Sequence, residues 1–235
     1  MTMPDDKDAL KRMAAEAAVD YVHDGQIVGL GTGSTARYVV LALAERVKKG
    51  LTIKGVPTSR ETAVLASSLG LTLLDPDGPW QIDVAIDGAD EVDPQLNLIK
   101  GGGGALLKEK IVAAAARQVI IVVDQTKRVP VLGQAFPLPI EVIQYGWRTT
   151  ARHIEQVGGR GSRAALRQRE GQPLKTESGH FILDLSGPGI LNPAETEARL
   201  NQIPGVVENG LFVGRTHVLL VGTPTGLDVQ RASGG

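Results

Sequence analysis

The stretch from Ile82 to Lys110 carries the residue types that acid–base chemistry on a small substrate requires. It reads IDVAIDGADEVDPQLNLIKGGGGALLKEK, in which an apolar run is followed by acids, a lysine and consecutive glycines. The acids are Asp87, Asp90, Glu91 and Asp93, and the lysine is Lys100. Carboxylates can move protons, an ammonium can stabilise developing negative charge, and glycines let a ligand approach the backbone closely. We therefore predict a chemical site in this stretch.

Two of the four acids are expected to act on a ligand. Acidic runs are commonly solvated turns, and we assign Glu91 and Asp93 to the surface on that basis. Asp87 and Asp90 follow an apolar strand-like run, at the sheet edge where ligands of α/β proteins bind. Carboxylates also suit Mg²⁺, but the ammonium of Lys100 would compete with a metal for the same oxygens. The sequence favours a site without a metal.

Glu109 is the candidate general base. It lies one turn into an apolar predicted helix, and apolar residues occupy the positions three and four residues away from it. Partial burial should raise the pKa of its carboxyl toward the range in which it both takes up and returns a proton. Without the rest of the motif, a surface glutamate paired with a flanking lysine would be the simpler interpretation.

Lys100 and the four glycines after it also have a simple interpretation, as an exposed lysine followed by a flexible loop. Four glycines in a tightly patterned domain cost considerable chain entropy, which favours close approach of the backbone to a ligand.

The segment GTGST, Gly31 to Thr35, is a second candidate site because it separates a short apolar strand from a helix. Such a turn presents free backbone N–H groups and the positive end of a helix dipole to an anion, and Ser34 and Thr35 add hydroxyl groups. Gly31, Gly33 and Ala36 also match the dinucleotide fingerprint, which predicts an acid at the end of the next strand. That strand ends in VPTS instead. A nicotinamide enzyme is therefore less favoured than a phosphate site.

These motifs must be positioned by strands that alternate with helices. The predicted strands are 27–30, 51–56, 71–74, 82–86 and 119–123, and the predicted helices are 8–22, 36–49, 61–69 and 105–116. This order indicates a parallel sheet covered on both faces. The clusters GTGST, DGAD and DQTK each follow a strand, so they are expected to meet at the carboxyl edge of the sheet.

We predict an α/β fold with a Rossmann-like parallel sheet domain, helices on both of its faces, and a smaller α+β domain inserted near the C-terminal third. The first domain comprises 1–130 and 208–235, and the second 131–207. Phe136 to Pro139 reads as a poor helix or central strand and as a crossing into the second domain. A strand at His217 to Val221 is expected to return to the first sheet, and Pro224 to Gly235 to form a partly loose tail.

Composition argues against several classes of protein. The formal net charge is −1 in 235 residues, with the basic residues scattered, so neither nucleic acid nor anionic membrane is an expected partner. There is no cysteine, which excludes disulfides and thiolate chemistry. The charged start lacks the apolar core of a signal peptide, and no run is long enough to span a membrane. We expect a soluble, cytoplasmic protein, in which the four histidines are structural or exposed.

Several segments together resemble type A ribose-5-phosphate isomerases along nearly the whole chain. They are GLGTGSTA at 29–36, TSRET at 58–62, DGADEVD at 87–93, IKGGGGALLKEK at 99–110, DQTKRV at 124–129, FPLPIEV at 136–142 and IPGVVENGLF at 203–212. Thr126 and Gly104 depart from the family pattern, where Ser and Ala are usual. Both changes are small, since the hydroxyl and the loop are kept.

The resemblance implies interconversion of ribose 5-phosphate and ribulose 5-phosphate through an enediolate, in the non-oxidative pentose phosphate pathway, without metal or cofactor. It implies that Glu109 is the base, that Lys100 steadies the enediolate oxygen, and that Asp87 and Asp90 contact the sugar oxygens and help to open the ring. The implied substrate-binding residues are Lys11, Thr32, Gly33, Ser34, Thr35, Gly101, Gly102 and Lys127. The implied assembly is a homodimer or a dimer of dimers.

Two rival functions stay open at this point. A sugar-phosphate-sensing domain would keep the phosphate edge, but it has no need of Lys100 and Glu109 together. An isomerase or deaminase acting on another phosphosugar would use the same groups.

Overall fold

The computed structural model describes residues 7–232, so the first six residues and the last three of the predicted tail lie outside it. The chain forms two compact units. The first comprises the residues up to Ala89, Lys108–Lys127 and the residues from Arg215 onward, and the second comprises Asp90–Leu107 and Arg128–Gly214.

Six α-helices are present in the described part of the chain. They are α1 (Lys7–Ala18), α2 (Ser34–Lys48), α3 (Arg60–Ser68), α4 (Leu106–Ala115), α5 (Trp147–Gly158) and α6 (Pro193–Asn201), with short 3₁₀ turns at Val19–Tyr21 and Gln125–Lys127. None of these described helices has the length and apolar character needed to cross a bilayer.

The strands are short, as expected for a domain of this size. They are β1 (Ile27–Leu30), β2 (Lys54–Pro57), β3 (Thr72–Leu73), β4 (Ile82–Asp87), β5 (Glu91–Val92), β6 (Leu98–Ile99), β7 (Ala116–Asp124), β8 (Leu138–Val142), β9 (Arg163–Leu166), β10 (Gln168–Arg169), β11 (Gln172–Pro173), β12 (Phe181–Ser186), β13 (Val206–Asn209), β14 (Leu211–Phe212), β15 (Val218–Thr223) and β16 (Gly226–Arg231).

The first unit is built on a seven-stranded sheet in the order β16-β15-β7-β4-β1-β2-β3. All neighbours are parallel except β15 and β16, which are antiparallel. The return of β15 to this sheet was predicted, and it pairs with β7. The partly loose tail was not correct, because Gly226–Arg231 forms the edge strand β16. The Thr223 hydroxyl donates to the Gly226 carbonyl, and Gly226, at φ +127°, makes the reversal that allows this pairing.

Helices cover both faces of this sheet, as the sequence predicts. Val28 and Leu30 of β1 point into a core that includes residues of α1, α2 and α3. Gly29, between them, faces the other way, where a Cβ atom would lie 2.5 Å from the side chain of Val112 in α4. Glycine at this position lets α4 pack directly on the sheet.

The second unit is an α+β structure. Its four-stranded antiparallel sheet has the order β13-β8-β12-β9, and a smaller sheet has the order β14-β6-β5. Ile154 of α5 and Leu200 of α6 pack with Ile140 and Leu183 of the larger sheet. Residues 90–107, assigned from the sequence to the first domain, belong to this unit because β6 pairs with β14.

The interpretation of Phe136 to Pro139 as unsuited to a central strand was wrong. Leu138 and Pro139 begin β8, which lies between β13 and β12. The Pro139 carbonyl accepts a hydrogen bond of 2.8 Å from the Gly210 amide. Since the amide nitrogen and carbonyl of one strand residue point the same way, the missing N–H faces Gly210 and not β12. The ladder to β12 therefore loses no hydrogen bond.

Candidate active site

In the first unit, the Asp87 carboxylate holds the glycine turn after β1. Its Oδ1 accepts hydrogen bonds from the amides of Thr32, at 3.1 Å, and of Gly88, at 2.7 Å. A Cβ atom at Gly31 would lie 2.1 Å from the same oxygen. Gly31 is therefore required for packing. Asp87, the buried last residue of β4, fixes the glycine turn that follows β1.

Helix α2 begins at Ser34, two residues earlier than predicted. Gly33 is its N-cap residue and has φ +104°, a conformation that favours glycine. Ser34 and Thr35 are thus the first two helical residues, and their amides belong to the set that has no partner within a helix. Ser34 is exposed and Thr35 half-buried. The turn has the form of an anion site at a helix N-terminus.

Hydroxyl groups of the segment that joins β2 to α3, and of α3 itself, support this turn. The Thr32 and Thr58 hydroxyls lie 2.7 Å apart, and the Thr62 hydroxyl donates to the Gly31 carbonyl at 2.9 Å. The TSRET segment contributes both Thr58 and Thr62. No role was assigned to these residues from the sequence alone, because the contacts depend on the pairing of β1 with β2.

Lys127 and Lys11 belong to elements that approach the same carboxyl edge. Lys127 ends the 3₁₀ turn that follows β7, whose last residue, Asp124, accepts a hydrogen bond from the Thr126 amide at 2.9 Å. Asp124 pairs with Gly222 of β15, where a Cβ atom would lie 2.0 Å from the Leu10 carbonyl. Helix α1 can therefore pass close to this edge, one residue before Lys11. The Lys11 ammonium lies 3.2 Å from Asp8.

Glu109 lies in the first turn of α4 and is only 5% exposed. Its helical neighbours Leu106 and Val112 are buried as well. The alternative of a glutamate on the surface of the helix is therefore wrong. A carboxyl group in such an environment is uncommon unless it is paired or functional.

In the second unit, Lys100 follows β6 and is 3% exposed, so it is not an ordinary surface lysine. Its amide donates to the Gly210 carbonyl at 2.9 Å. Its ammonium lies over the ring of Phe212, 5.6 Å from the ring centroid. A Cβ atom at Gly210 would lie 2.3 Å from the Lys100 carbonyl. Both ends of this lysine are positioned by the segment around β14.

The glycine run after Lys100 is held by Asp90. The Gly102 amide donates to Asp90 Oδ2 at 2.8 Å, and a Cβ atom at Gly102 would lie 2.7 Å from Oδ1. Gly101 has φ +105°. Its carbonyl and that of Gly102 both accept hydrogen bonds from Arg167, a residue to which the sequence assigned no role. The run is an ordered loop with several anchors.

The assignment of Glu91 and Asp93 to the surface was wrong. Glu91 is 1% exposed, and its two carboxylate oxygens accept hydrogen bonds of 2.6–3.1 Å from the amides of Gly133, Ala135 and Phe136. Asp93 is also buried and accepts from the amides of Gln95 and Asn97. Both carboxylates stabilise loops of the second unit.

The predicted site residues are divided between the two units. The first holds Lys11, Thr32, Gly33, Ser34, Thr35, Asp87, Glu109 and Lys127, and the second holds Asp90, Lys100, Gly101 and Gly102. Within residues 7–232, no group of three or more histidine or acidic side chains is arranged to hold a metal ion.

The comparisons with known proteins agree with one another. Residues 54–226 match the family model of ribose 5-phosphate isomerase A (phosphoriboisomerase A). The ribose-5-phosphate isomerase A of Gloeobacter violaceus is 50% identical over 229 residues, covering 97% of this chain and 98% of that protein. That of Methanothermobacter thermautotrophicus is 47% identical over 225 residues, covering 94% and 97%.

Solved structures extend this similarity to the fold. A D-ribose-5-phosphate isomerase in complex with phospho-erythronic acid has a TM-score of 0.92 and 40% identity, covering 96% of this chain and 99% of that one. The ribose 5-phosphate isomerase A of Methanocaldococcus jannaschii has a TM-score of 0.90 and 38% identity, covering 96% and 100%. The resemblance in the sequence motifs is thereby confirmed, and the chain belongs to the ribose 5-phosphate isomerase A family.

Proposed function

We propose that this protein interconverts D-ribose 5-phosphate and D-ribulose 5-phosphate through an enediolate. The observation that carries the proposal is the burial of Glu109 and Lys100, a carboxyl group and an ammonium on a chain of this family. Moving a proton beside a carbonyl requires a base and a group that stabilises the negative charge developing on oxygen. The two buried side chains have these two chemistries.

Glu109 transfers the carbon-bound proton. Its carboxylate removes the proton from C2 of the open-chain aldose, and the electron pair forms the C1–C2 double bond of the enediolate. Return of the proton to C1 gives the ketose and restores the carboxylate. Lys100 stabilises the negative charge on the enediolate oxygen, a contribution that grows as the transition state forms.

Asp87 and Asp90 transfer the protons that are bound to the sugar oxygens. Opening of the sugar ring moves a proton from the C1 hydroxyl to the ring oxygen, and isomerisation moves one between O2 and O1. A carboxylate can accept and return each of these protons. Gly101 and Gly102 line the substrate with backbone atoms alone. The Gly102 amide donates a hydrogen bond to Asp90. The role that we propose for this amide is therefore to orient the Asp90 carboxylate.

The phosphate is held at the N-terminus of α2. Amides and hydroxyls of Thr32, Gly33, Ser34 and Thr35 bind its oxygens, while Lys127 and Lys11 supply positive charge. The phosphate does not react, so these contacts hold the substrate equally before and during the transition state. The phospho-erythronic acid bound by a relative carries a phosphate and a carboxylate, and a planar carboxylate resembles an enediolate in shape and charge.

We place this reaction in the non-oxidative pentose phosphate pathway, in the cytoplasm, and expect it to proceed without metal or cofactor. The assembly that we propose is a homodimer or a dimer of dimers. Tyr145 and Leu191 of the second unit, 90% and 87% exposed, offer apolar surface for such an assembly. Light scattering at several protein concentrations measures its size, and a monomer throughout would contradict this proposal.

One assay tests the reaction itself. The purified protein is incubated with ribose 5-phosphate in the presence of EDTA, and ribulose 5-phosphate is measured over time. Conversion at a rate typical of enzymes, about 1 to 10³ per second, is the expected result. Binding without conversion would instead support a sugar-phosphate sensor, and conversion of another phosphosugar alone would support a related isomerase or deaminase.

A further inference from the structure

Arg167 contacts the glycine run of the second unit and has no part in the reaction as proposed above. It lies between β9 and β10. Its Nη1 donates to the carbonyl oxygens of Gly101, at 2.8 Å, and Gly102, at 3.0 Å. The side chain is 13% exposed, so these charge-assisted hydrogen bonds are largely shielded from water and are stronger than those of a surface arginine.

Asp184 fixes the direction of the guanidinium. Arg167 Nε donates to one carboxylate oxygen at 2.8 Å, and Nη2 donates to the other at 2.5 Å. A guanidinium is planar and rigid, so this two-point contact directs the remaining nitrogen toward the glycine carbonyls. Asp184 lies in β12, which is paired with β8 and β9 on its two sides. The anchor is therefore part of a sheet.

The peptide unit between Gly101 and Gly102 is held from both sides. Its carbonyl accepts from Arg167, and its N–H donates to Asp90 Oδ2 at 2.8 Å. In a trans peptide these two groups point in opposite directions, so both partners together determine the plane of the unit. Glycine backbones otherwise have wide conformational freedom. This peptide unit begins one residue after Lys100.

We propose that Arg167 is a positioning residue for the isomerisation. By fixing the carbonyls of Gly101 and Gly102, it holds the backbone of Lys100 and the carboxylate of Asp90 in the orientation that the reaction requires. The inference rests on the proposed function, which gives Lys100 and Asp90 their roles. Loss of the Arg167 side chain reduces turnover more than substrate binding, because stabilisation of the enediolate depends on accurate placement of charge.

Replacement of Arg167 by Ala tests the proposal through the two kinetic constants. We expect kcat to fall about 100-fold, as for a displacement of about 1 Å in a catalytic group, while KM changes by less than about threefold. Arg169→Ala is the matched control, since it removes an exposed arginine of β10 two residues away. It leaves both constants unchanged. Arg167→Lys keeps the charge without the planar fork and recovers only part of the activity.

Chemical rescue separates positioning from general support of the fold. Guanidinium chloride at about 20 mM, compared with the same concentration of sodium chloride, raises kcat of Arg167→Ala at least about tenfold by occupying the vacated position. A second test is the double variant with Lys100→Ala. Its loss of kcat is smaller than the product of the two single losses, because Arg167 acts in part through Lys100.

The outcomes distinguish this inference from the proposed function. Normal kcat in Arg167→Ala, together with lost activity in Lys100→Ala, overturns the positioning role and leaves the proposed function standing. Full activity in Lys100→Ala overturns the proposed role of that lysine. If Arg167→Ala melts at a lower temperature and neither guanidinium nor the lysine variant restores turnover, Arg167 only supports the fold and the inference is wrong.

Discussion

Two glutamates, Glu91 in β5 and Glu109 in α4, are buried to nearly the same degree but lie in different chemical environments. Glu91 has both carboxylate oxygens bonded to backbone amides of the loop at 133–136. Those three donors hold the carboxylate in place. Glu109 lies in the first turn of α4, where Leu106 and Val112 are apolar helical neighbours and the adjacent Lys108 and Lys110 carry positive charge.

Burial alone does not identify a carboxyl group that takes part in catalysis. The three amide hydrogen bonds of Glu91 attach it to the loop at 133–136, which is a structural task. Glu109 is buried in helix α4, and the proposed function gives its carboxylate the transfer of a carbon-bound proton. We therefore propose that Glu91 stabilises the loop at 133–136 and that Glu109 carries out the proton transfer. Substitutions at the two positions test this division of roles.

Replacing Glu109 with Gln is expected to lower kcat by about 10³-fold or more, since the amide cannot accept the C2 proton. The substitution keeps the size of the side chain, so the melting temperature and KM change little. Steady-state kinetics and thermal unfolding measure these quantities. Unaltered turnover in the variant would show that Glu109 is not the base.

Replacing Glu91 with Gln is expected to have the opposite profile. The amide group brings two donors against backbone N–H groups, so charge-assisted hydrogen bonds to the loop are lost and stability falls by about 3 kcal/mol. Below the unfolding transition, kcat per folded molecule stays near its original value. Urea titration gives the change in stability. A loss of kcat as large as that of Glu109→Gln, without loss of stability, would contradict the division.

The sequence was sufficient for features that depend on nearby residues. Alternating strands and helices predicted the parallel sheet, and GTGST and DGAD were correctly placed at the carboxyl ends of β1 and β4. Glycine before a helix and apolar residues around Glu109 are local patterns, and each has a direct physical meaning. Family resemblance then gave the roles of the individual residues, which stay predictions.

The sequence was not sufficient where partners are far apart along the chain. Glu91 bonds amides more than forty residues away, and Arg167 bonds glycines more than sixty residues away. The acidic run therefore looked like a solvated turn, and Arg167 looked like any other arginine. Pro139 was misjudged for a related reason, because the side on which its missing N–H lies depends on strand register. Long-range pairing decides each of these cases.

We propose a third role for a charged residue in Lys127, which would bind the substrate phosphate without taking part in the reaction. Lys127→Ala is expected to raise KM by about tenfold or more and to leave kcat largely unchanged, because the phosphate is bound equally in the ground and transition states. Lys54→Ala, which removes an exposed lysine of β2, is the control. A change confined to kcat would argue against Lys127 as a phosphate contact.

The smallest effect is expected from Phe212, which holds a charge by its aromatic face and not by hydrogen bonds. Phe212→Leu removes the ring beneath the Lys100 ammonium, and a cation–π contact in a shielded environment contributes about 1–2 kcal/mol. If Lys100 is then less well placed, kcat falls by about three- to tenfold.

Phe181→Leu is the matched control because it removes a ring of the same size that packs edge-on against Trp147 in the same unit. Both variants lose packing and should be less stable, but only Phe212→Leu should lose turnover per folded molecule. Equal kcat in the two variants would show that the ring supports the core alone, and that hydrogen bonds of the Lys100 backbone suffice to place the ammonium.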